Sequence, residues 1–349
     1  MLVNEDALCA KWMPREKSSK RGHAKKIRGY LGLSSVDYRK LLSSLSSTVE
    51  QSMCQNKWDE INYNHVPSQA ARIYKKAFAK HDTERYEQYL NDLAIGAEGA
   101  KINAGAIFPH DIIKPLVLDS WTARNKPLKD ADKILANAQW DALPDYMTDA
   151  RVLPMVDSSA SMCVNVAEGI QANHVAAGLG LYMAERNKGV MKDLCMTFSE
   201  SPEFVQLKGD LANRVDQITS TNWDMNTNLE AAFDALLDLA VQKNVSQDEM
   251  PEIIMILSDM QFDYCTSDPS STVMKMIKKR YKTAGYTMPA IVFWNINAQG
   301  TTPVKSTKAG TALVSGYSPS ILKSLLSNVS KLTPINVMLE TLMDSRYDY

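Results

Sequence analysis

Nowhere in the 349 residues is there an apolar run long enough to span a bilayer, about 18 residues or more, so no transmembrane helix is expected. The opening MLVNEDALCAKW has no basic flank followed by an apolar core, so no secretory leader is expected and the cytoplasm is the expected compartment. Cysteine is scarce: Cys9, Cys54, Cys163, Cys195 and Cys265 are scattered, odd in number and never spaced C-x-x-C. That pattern excludes a disulfide framework and a cysteine zinc site, and leaves reduced packing thiols. Excess charge of either sign is also missing, since the formal sum is −1 with 23% charged residues. There is no G-x-x-x-x-G-K-[ST] loop for nucleotide phosphates, and no glycine-rich turn after the first strand of the kind a dinucleotide fold requires.

What is present is enough apolar material, 45% of residues, for about two domains. The first 149 residues read as helical. Ser34 or Ser35 is placed to cap a helix over YRKLLSSLSSTVEQSM. A second helix is expected from Ser68 to Leu93, with shorter ones near 109–117 and 130–140. From residue 150 the pattern changes. RVLPMVD, DLCMTF, EIIMILSD, PAIVFWNI and TALVSG read as short buried strands. Helical patterns alternate with them: 164–186, DLANRVDQI, NLEAAFDALLDLAVQK, TVMKMIKKRYKTAG and SPSILKSLL. Alternation of this kind predicts a mostly parallel sheet of about six strands with helices on both faces. In such sheets ligands bind beyond the carboxyl ends of the strands.

The residues at those ends carry the chemistry. The first strand runs into Asp157-Ser158-Ser159-Ala160-Ser161, the strand EIIMILS runs into Asp259, and Thr227 lies in the loop WDMNTN between them. A carboxylate followed by hydroxyls two and four residues later can converge on one cation. An all-oxygen donor set suits Mg²⁺ or Mn²⁺. A different reading is a polar loop that caps the following helix through Ser159 or Ser161, which accounts for the serines but not for Thr227 and Asp259. Asn228 and Asp263 flank the set and are placed to orient ligands or waters. Trp223 and Asp224 are expected to shape the Thr227 loop. His174 is expected to pack or face solvent, and nothing in the sequence lowers the pKa of Cys163.

Asp-x-Ser-x-Ser, then a loop Thr, then a strand-end Asp, resembles the metal-ion-dependent adhesion site of von Willebrand A domains. The resemblance covers residues 150–349 and implies a Rossmann-like α/β domain. It implies that Asp157, Ser159, Ser161, Thr227 and Asp259 hold Mg²⁺ or Mn²⁺, one Asp acting through water. A cation so lightly neutralised attracts an anionic ligand, so the implied partner is a protein presenting Asp or Glu. A narrower likeness lies in LCAKWMPRE, KINAGAIFPHDI, SDMQFD, PAIVFWN and ALVSGYS. These segments resemble the family known as domain of unknown function 2828, related to the Ro (TROVE-domain) RNA-binding proteins. That resemblance covers most of the chain and implies that residues 1–149 form a TROVE- or HEAT-like helical region.

The near-zero sum hides a basic segment. Lys11, Arg15, Lys17, Lys20, Arg21, Lys25, Lys26 and Arg28 face only Glu16 across residues 11–28. Arg72, Lys75, Lys76 and Lys80 fall at helical spacing. Clustered cations bind phosphate by releasing counterions, and a solvated basic surface is the other reading. Two functions follow. One is a non-enzymatic, metal-dependent binding module that engages an acidic partner group. The other is an RNA-binding ribonucleoprotein component that uses Lys17, Lys20, Arg21, Lys25, Lys26, Arg28, Arg72, Lys76 and Lys80. An aspartyl-phosphate enzyme is not expected, because Ser159 stands where a second Asp would be needed.

Overall fold

The computed structural model describes residues 7–46, 48–117, 129–147, 151–167, 169–197, 199–220, 229–259, 271–297, 311–316, 321 and 342–343. The chain divides into two compact units, 1–103 and 104–349.

The first unit is helical: α1 (Ala7–Trp12), α2 (Arg21–Tyr30), α3 (Ser35–Leu45), α4 (Val49–Cys54), α5 (Ser68–His81) and α6 (Thr83–Ala94). Ser34 caps α3 as its sequence position suggests, its hydroxyl accepting the Asp37 N–H at 3.1 Å. The single helix expected over residues 68–93 is instead two. Asp82 leaves helical geometry at φ −141° and ψ 48°. Its carboxylate takes the Tyr63 hydroxyl at 2.7 Å and Arg85 at 2.9 Å. A short acidic side chain with partners of this kind favours a helix boundary over a helix interior. One small core gathers Ala10, Ala24, Tyr38 and Leu42.

The second unit begins with α7 (Pro109–Ile113) and α8 (Asp130–Asp141). The sequence pattern groups these helices with the N-terminal region, but their packing places them here. Ile112, Ile113, Leu116 and Trp140 join the core that also holds Val152 and Val156. The strands are β1 (Val152–Val156), β2 (Asn165–Ala167), β3 (Ile170–Gln171), β4 (Leu194–Thr197), β5 (Phe204–Gln206), β6 (Ile253–Ser258), β7 (Ala290–Asn295) and β8 (Thr311–Ser315). Their helices are α9 (Ala172–Arg186), α10 (Leu211–Thr219), α11 (Leu229–Lys243) and α12 (Ser271–Thr283).

The main sheet has six strands among the described residues, in the order β5-β4-β1-β6-β7-β8. All neighbours are parallel except β5, which pairs antiparallel with β4. Side-chain alternation divides the apolar strands between two faces. Val152, Val156, Met255, Leu257 and Trp294 face α9 and α10 in one core. Leu153, Met155, Ile254, Ile256 and Phe293 face α11 and α12 in the other, against Phe233, Leu236, Ile277 and Tyr281. Pro154 interrupts β1 without breaking it. It has no N–H to donate, and the β4 ladder is registered only beyond it, at Met155 and Val156.

The helix expected over residues 164–186 begins later than its pattern suggests. A 3₁₀ turn at Ala160–Cys163 and the β2–β3 hairpin come first, and Gly169 at φ +65° turns the chain between the two strands. The short strand β5 was not anticipated. The helix expected at SPSILKSLL lies outside the described residues, apart from Ile321. No described helix is long and apolar enough to cross a membrane. Among the described residues, Cys9, Cys54, Cys163 and Cys195 form no disulfide. Burial pushes the Cys195 thiol up to about 12, which suits a packing role.

Helix α9 is buried along almost its whole length and lies close to its neighbours. A Cβ at Gly178 would come within 2.8 Å of the His110 backbone nitrogen in α7, and one at Gly180 within 2.4 Å of Val156 Cγ2. In an open helix, Gly→Ala stabilises by about 1 kcal/mol through propensity. Here Gly178→Ala is expected to destabilise instead, by about 1–3 kcal/mol, because backbone cannot move aside as a side chain can. Urea denaturation of the two proteins checks the sign.

Candidate metal centre

The sheet order places β1 and β6 side by side, while their onward connections leave in opposite directions. One leads towards β4 and the other towards β7. That divergence opens a crevice at the carboxyl ends of the two strands. Asp157 and Asp259 are the residues that follow those ends. The Asp157 N–H donates to Leu257 O at 3.0 Å, which continues the β1–β6 pairing by one residue. Both carboxylates are buried, with Asp157 4% and Asp259 1% exposed.

The Asp157 carboxylate has a donor on each oxygen. Oδ1 accepts the Ser159 N–H at 2.9 Å, and Oδ2 accepts the Ser258 hydroxyl at 2.6 Å. Burial nonetheless raises its pKa. Bonds from Ser258 and Ser159 pull the other way, and the charge of Asp259 adds to the rise. The loop beyond turns on Met162, which is fully buried and whose N–H reaches Ser159 O at 3.0 Å. Just before that anchor, Ser159 and Ser161 are half-buried with their hydroxyl oxygens 2.9 Å apart. Ser159 is not a helix cap here: no side-chain capping bond accompanies the 3₁₀ turn after it.

Four of the five expected ligands are thus described, and they gather at one end of the sheet. Thr227, Asn228 and Asp263, with Trp223 and Asp224, lie outside the described residues. Among the described residues no group of three or more His, Cys, Asp or Glu side chains is placed to hold a metal. The donor set is instead two carboxylates with hydroxyls, all of them oxygens. This chemistry fits Mg²⁺ or Mn²⁺, and the burial of two neighbouring carboxylates gives a cation something to neutralise. His174 accepts the Gln171 N–H at Nδ1, 3.1 Å away, as a local partner at the start of α9. Ser258 was not singled out from the sequence. The signal was there, since it is the one polar residue in the apolar run IIMILS, and a buried hydroxyl needs a partner.

The expected basic residues separate into two groups. Lys17, Lys20, Arg21, Lys25 and Lys26 are exposed on and before α2, and Lys76 and Lys80 are exposed on α5. Arg28 is not: its Nε pairs with Glu16 at 3.2 Å, which commits it to the fold. Arg72 is half-buried, with Nη1 3.4 Å from Gln69 Oε1.

The second unit is therefore a doubly wound α/β domain with a cluster of oxygen ligands at its switch point. The chain belongs to the family described as domain of unknown function DUF7788, whose model matches residues 151–341. The model for domain of unknown function DUF2828 matches residues 5–153. The likeness to that second family is thus confined to the N-terminal part, and SDMQFD, PAIVFWN and ALVSGYS fall within the DUF7788 match. An uncharacterized protein, L728, of Acanthamoeba polyphaga mimivirus is 29% identical over 363 residues, covering 96% of this chain and 60% of that protein. The chain therefore spans about three fifths of that relative's length. Among solved structures, the Deinococcus radiodurans Ro (RSR) protein aligns at 13% identity with a TM-score of 0.43, covering 93% of this chain and 74% of that one. The SpRpn10 VWA domain aligns at 15% identity with a TM-score of 0.34, covering 54% and 97%. The strand order, rather than either alignment, defines the fold class.

The raised pKa of Asp157 has a sign that can be tested. A carboxyl that is more basic when folded loses stability as pH rises from the ordinary carboxylate range through its raised value, and the loss persists above it. Asp157→Asn removes the charge but keeps an acceptor for Ser258. In chelator it is expected to raise the melting temperature at pH 7 and to have no effect below about pH 3, where both forms are neutral. Thermal scans across pH decide this, and a wild type more stable than the variant at pH 7 would contradict it.

Proposed function

We propose that the C-terminal unit is a von Willebrand A-type, metal-dependent binding module rather than an enzyme. In this reading Asp157, Ser159, Ser161 and Asp259, with Thr227, hold Mg²⁺ or Mn²⁺ in an adhesion-type site. The observation that carries it is the burial of Asp157 and Asp259 at the ends of adjacent central strands, beside the paired hydroxyls of Ser159 and Ser161. A cation there would supply charge neutralisation to two buried carboxylates. Surrounded by few formal charges, it would keep affinity for an anionic ligand, so the favoured partner is a protein presenting an Asp or Glu side chain. Asn228 and Asp263 are assigned supporting roles around the ligands.

Calorimetric titration of Mg²⁺ and Mn²⁺ into wild type and Asp157→Ala tests the assignment. Heat of binding is expected in the wild type and none in the variant. At a hundredfold excess over Kd the metal should stabilise the wild type by about 2.7 kcal/mol. Thr227→Ala should weaken partner binding more than metal binding. Equal metal affinity in wild type and Asp157→Ala would refute the site.

A second reading concerns the helical unit, and one observation favours it. Helix α2 starts with Lys20 and Arg21, with no acidic residue in its first turn and no side-chain cap. Cations at a helix N-terminus oppose the helix dipole and cost stability. These charges therefore do not serve the helix, which leaves a polyanion such as RNA as the ligand they suit. Replacing Lys17, Lys20, Arg21, Lys25 and Lys26 by Ala should weaken RNA binding almost equally for all sequences. For single strands it should flatten the salt dependence by about 0.7 per lost phosphate contact. Filter binding at several salt concentrations measures this, and a wild type with no RNA affinity at low salt ends the reading.

A further inference from the structure

The cation reading gives no task to the residue that closes β6. Ser258 is 1% exposed, and its hydroxyl donates to Asp157 Oδ2 at 2.6 Å. Its carbonyl accepts the Ile296 N–H at 3.0 Å, so the residue is tied to the chain leaving β7 as well. The opposite oxygen of Asp157 is held by the Ser159 N–H, and the Asp157 main chain is held by Leu257 O. The carboxylate plane is therefore fixed from both sides. An ionised carboxylate has about four acceptor positions. Two are taken by these donors.

We infer that Ser258 is a positioning residue for Asp157: its hydroxyl orients the carboxylate before any cation arrives. The inference rests on the cation reading for its purpose, but the interaction itself belongs to the metal-free protein. A buried carboxylate deprived of one donor is free to turn towards another, which spoils its orientation as a metal ligand. Partners that orient metal ligands are typically worth about 10–100-fold in affinity. Ser258 donates to Asp157, so the part of its hydroxyl's effect that runs through that bond is lost when Asp157 is absent.

Two measurements test this. The first is a thermal cycle in chelator, comparing wild type, Ser258→Ala, Asp157→Ala and the double variant. Ser258→Ala should lower the melting temperature by about 2–6 °C when Asp157 is present, and by clearly less in the Asp157→Ala background. The second is Mn²⁺ titration. Ser258→Ala should raise Kd by about 10–100-fold, while Ser258→Thr, which keeps the hydroxyl, should stay close to the wild type. Additive melting shifts would overturn the inference, as would equal Mn²⁺ affinity in the wild type and Ser258→Ala. A wild type that binds neither Mn²⁺ nor Mg²⁺ would refute the cation reading itself. The thermal cycle would then decide alone, with coupling upholding the positioning role and additivity ending it.

Discussion

Burying Asp157 beside Asp259 sets a problem that solvent cannot solve for the fold. A carboxylate removed from water needs donors, a proton or a cation, and two such groups near one another need more of each. The sheet topology forces the encounter. β1 and β6 are neighbours in a parallel sheet, so their carboxyl ends emerge together, and their connections then part. Hydrogen bonds from Ser258 and the Ser159 amide meet part of the demand. Burial still raises the pKa of Asp157 against the pull of those bonds. A strand end built only for stability would carry an apolar or neutral side chain there, as every preceding residue of β1 does. The persistence of charge at this position is the physical reason to look for a ligand.

The surrounding structure holds that charge on a stiff base. β1 and β6 are buried on both faces, with two separate apolar cores above and below. Met162 plugs the end of the loop that carries Ser159 and Ser161 into the first core, which limits where the hydroxyls can move. Gly178 and Gly180 let α9 lie against α7 and Val156 at distances a methyl group would forbid. Val156 is the last residue of β1 before Asp157, so the packing of α9 and the position of the carboxylate share a contact. Close packing of this kind transmits small displacements instead of absorbing them.

Much of this was legible in the sequence because each signal was local. VLPMV and IIMILS are apolar on both faces, and only a strand covered by helices on both sides reads that way. The carboxylates following them marked the site through the topology rule alone. What escaped depends on tertiary partners or on short elements. The hairpin at 165–171 precedes α9 without a strong alternating pattern, so the helical pattern of α9 ran back over it. Asp82 divides α5 from α6 because Tyr63 and Arg85 hold its side chain, and neither partner is evident from spacing. Helices 109–113 and 130–141 carried no mark of the unit they would join. Sequence-family boundaries fall near residue 151, whereas the compact units meet at 103/104. The segment between is therefore matched with the N-terminal family while its apolar side chains complete the core over the sheet.

Charge counts in the N-terminal segment mislead in a similar way. Of its cations, Arg15 donates to Ser46 Oγ at 3.1 Å, and Arg28 pairs with Glu16. Glu16 also accepts the Ser35 hydroxyl. The one carboxylate of that stretch is thus spent on holding α2 near the start of α3, and cannot neutralise the lysines around it. Arg15 and Arg28 behave as structural residues, and a count that includes them overstates the free charge. Lys17, Lys20 and Arg21 are exposed before and at the start of α2, where positive charge is least favourable, and Lys25 and Lys26 are exposed in the middle of the helix.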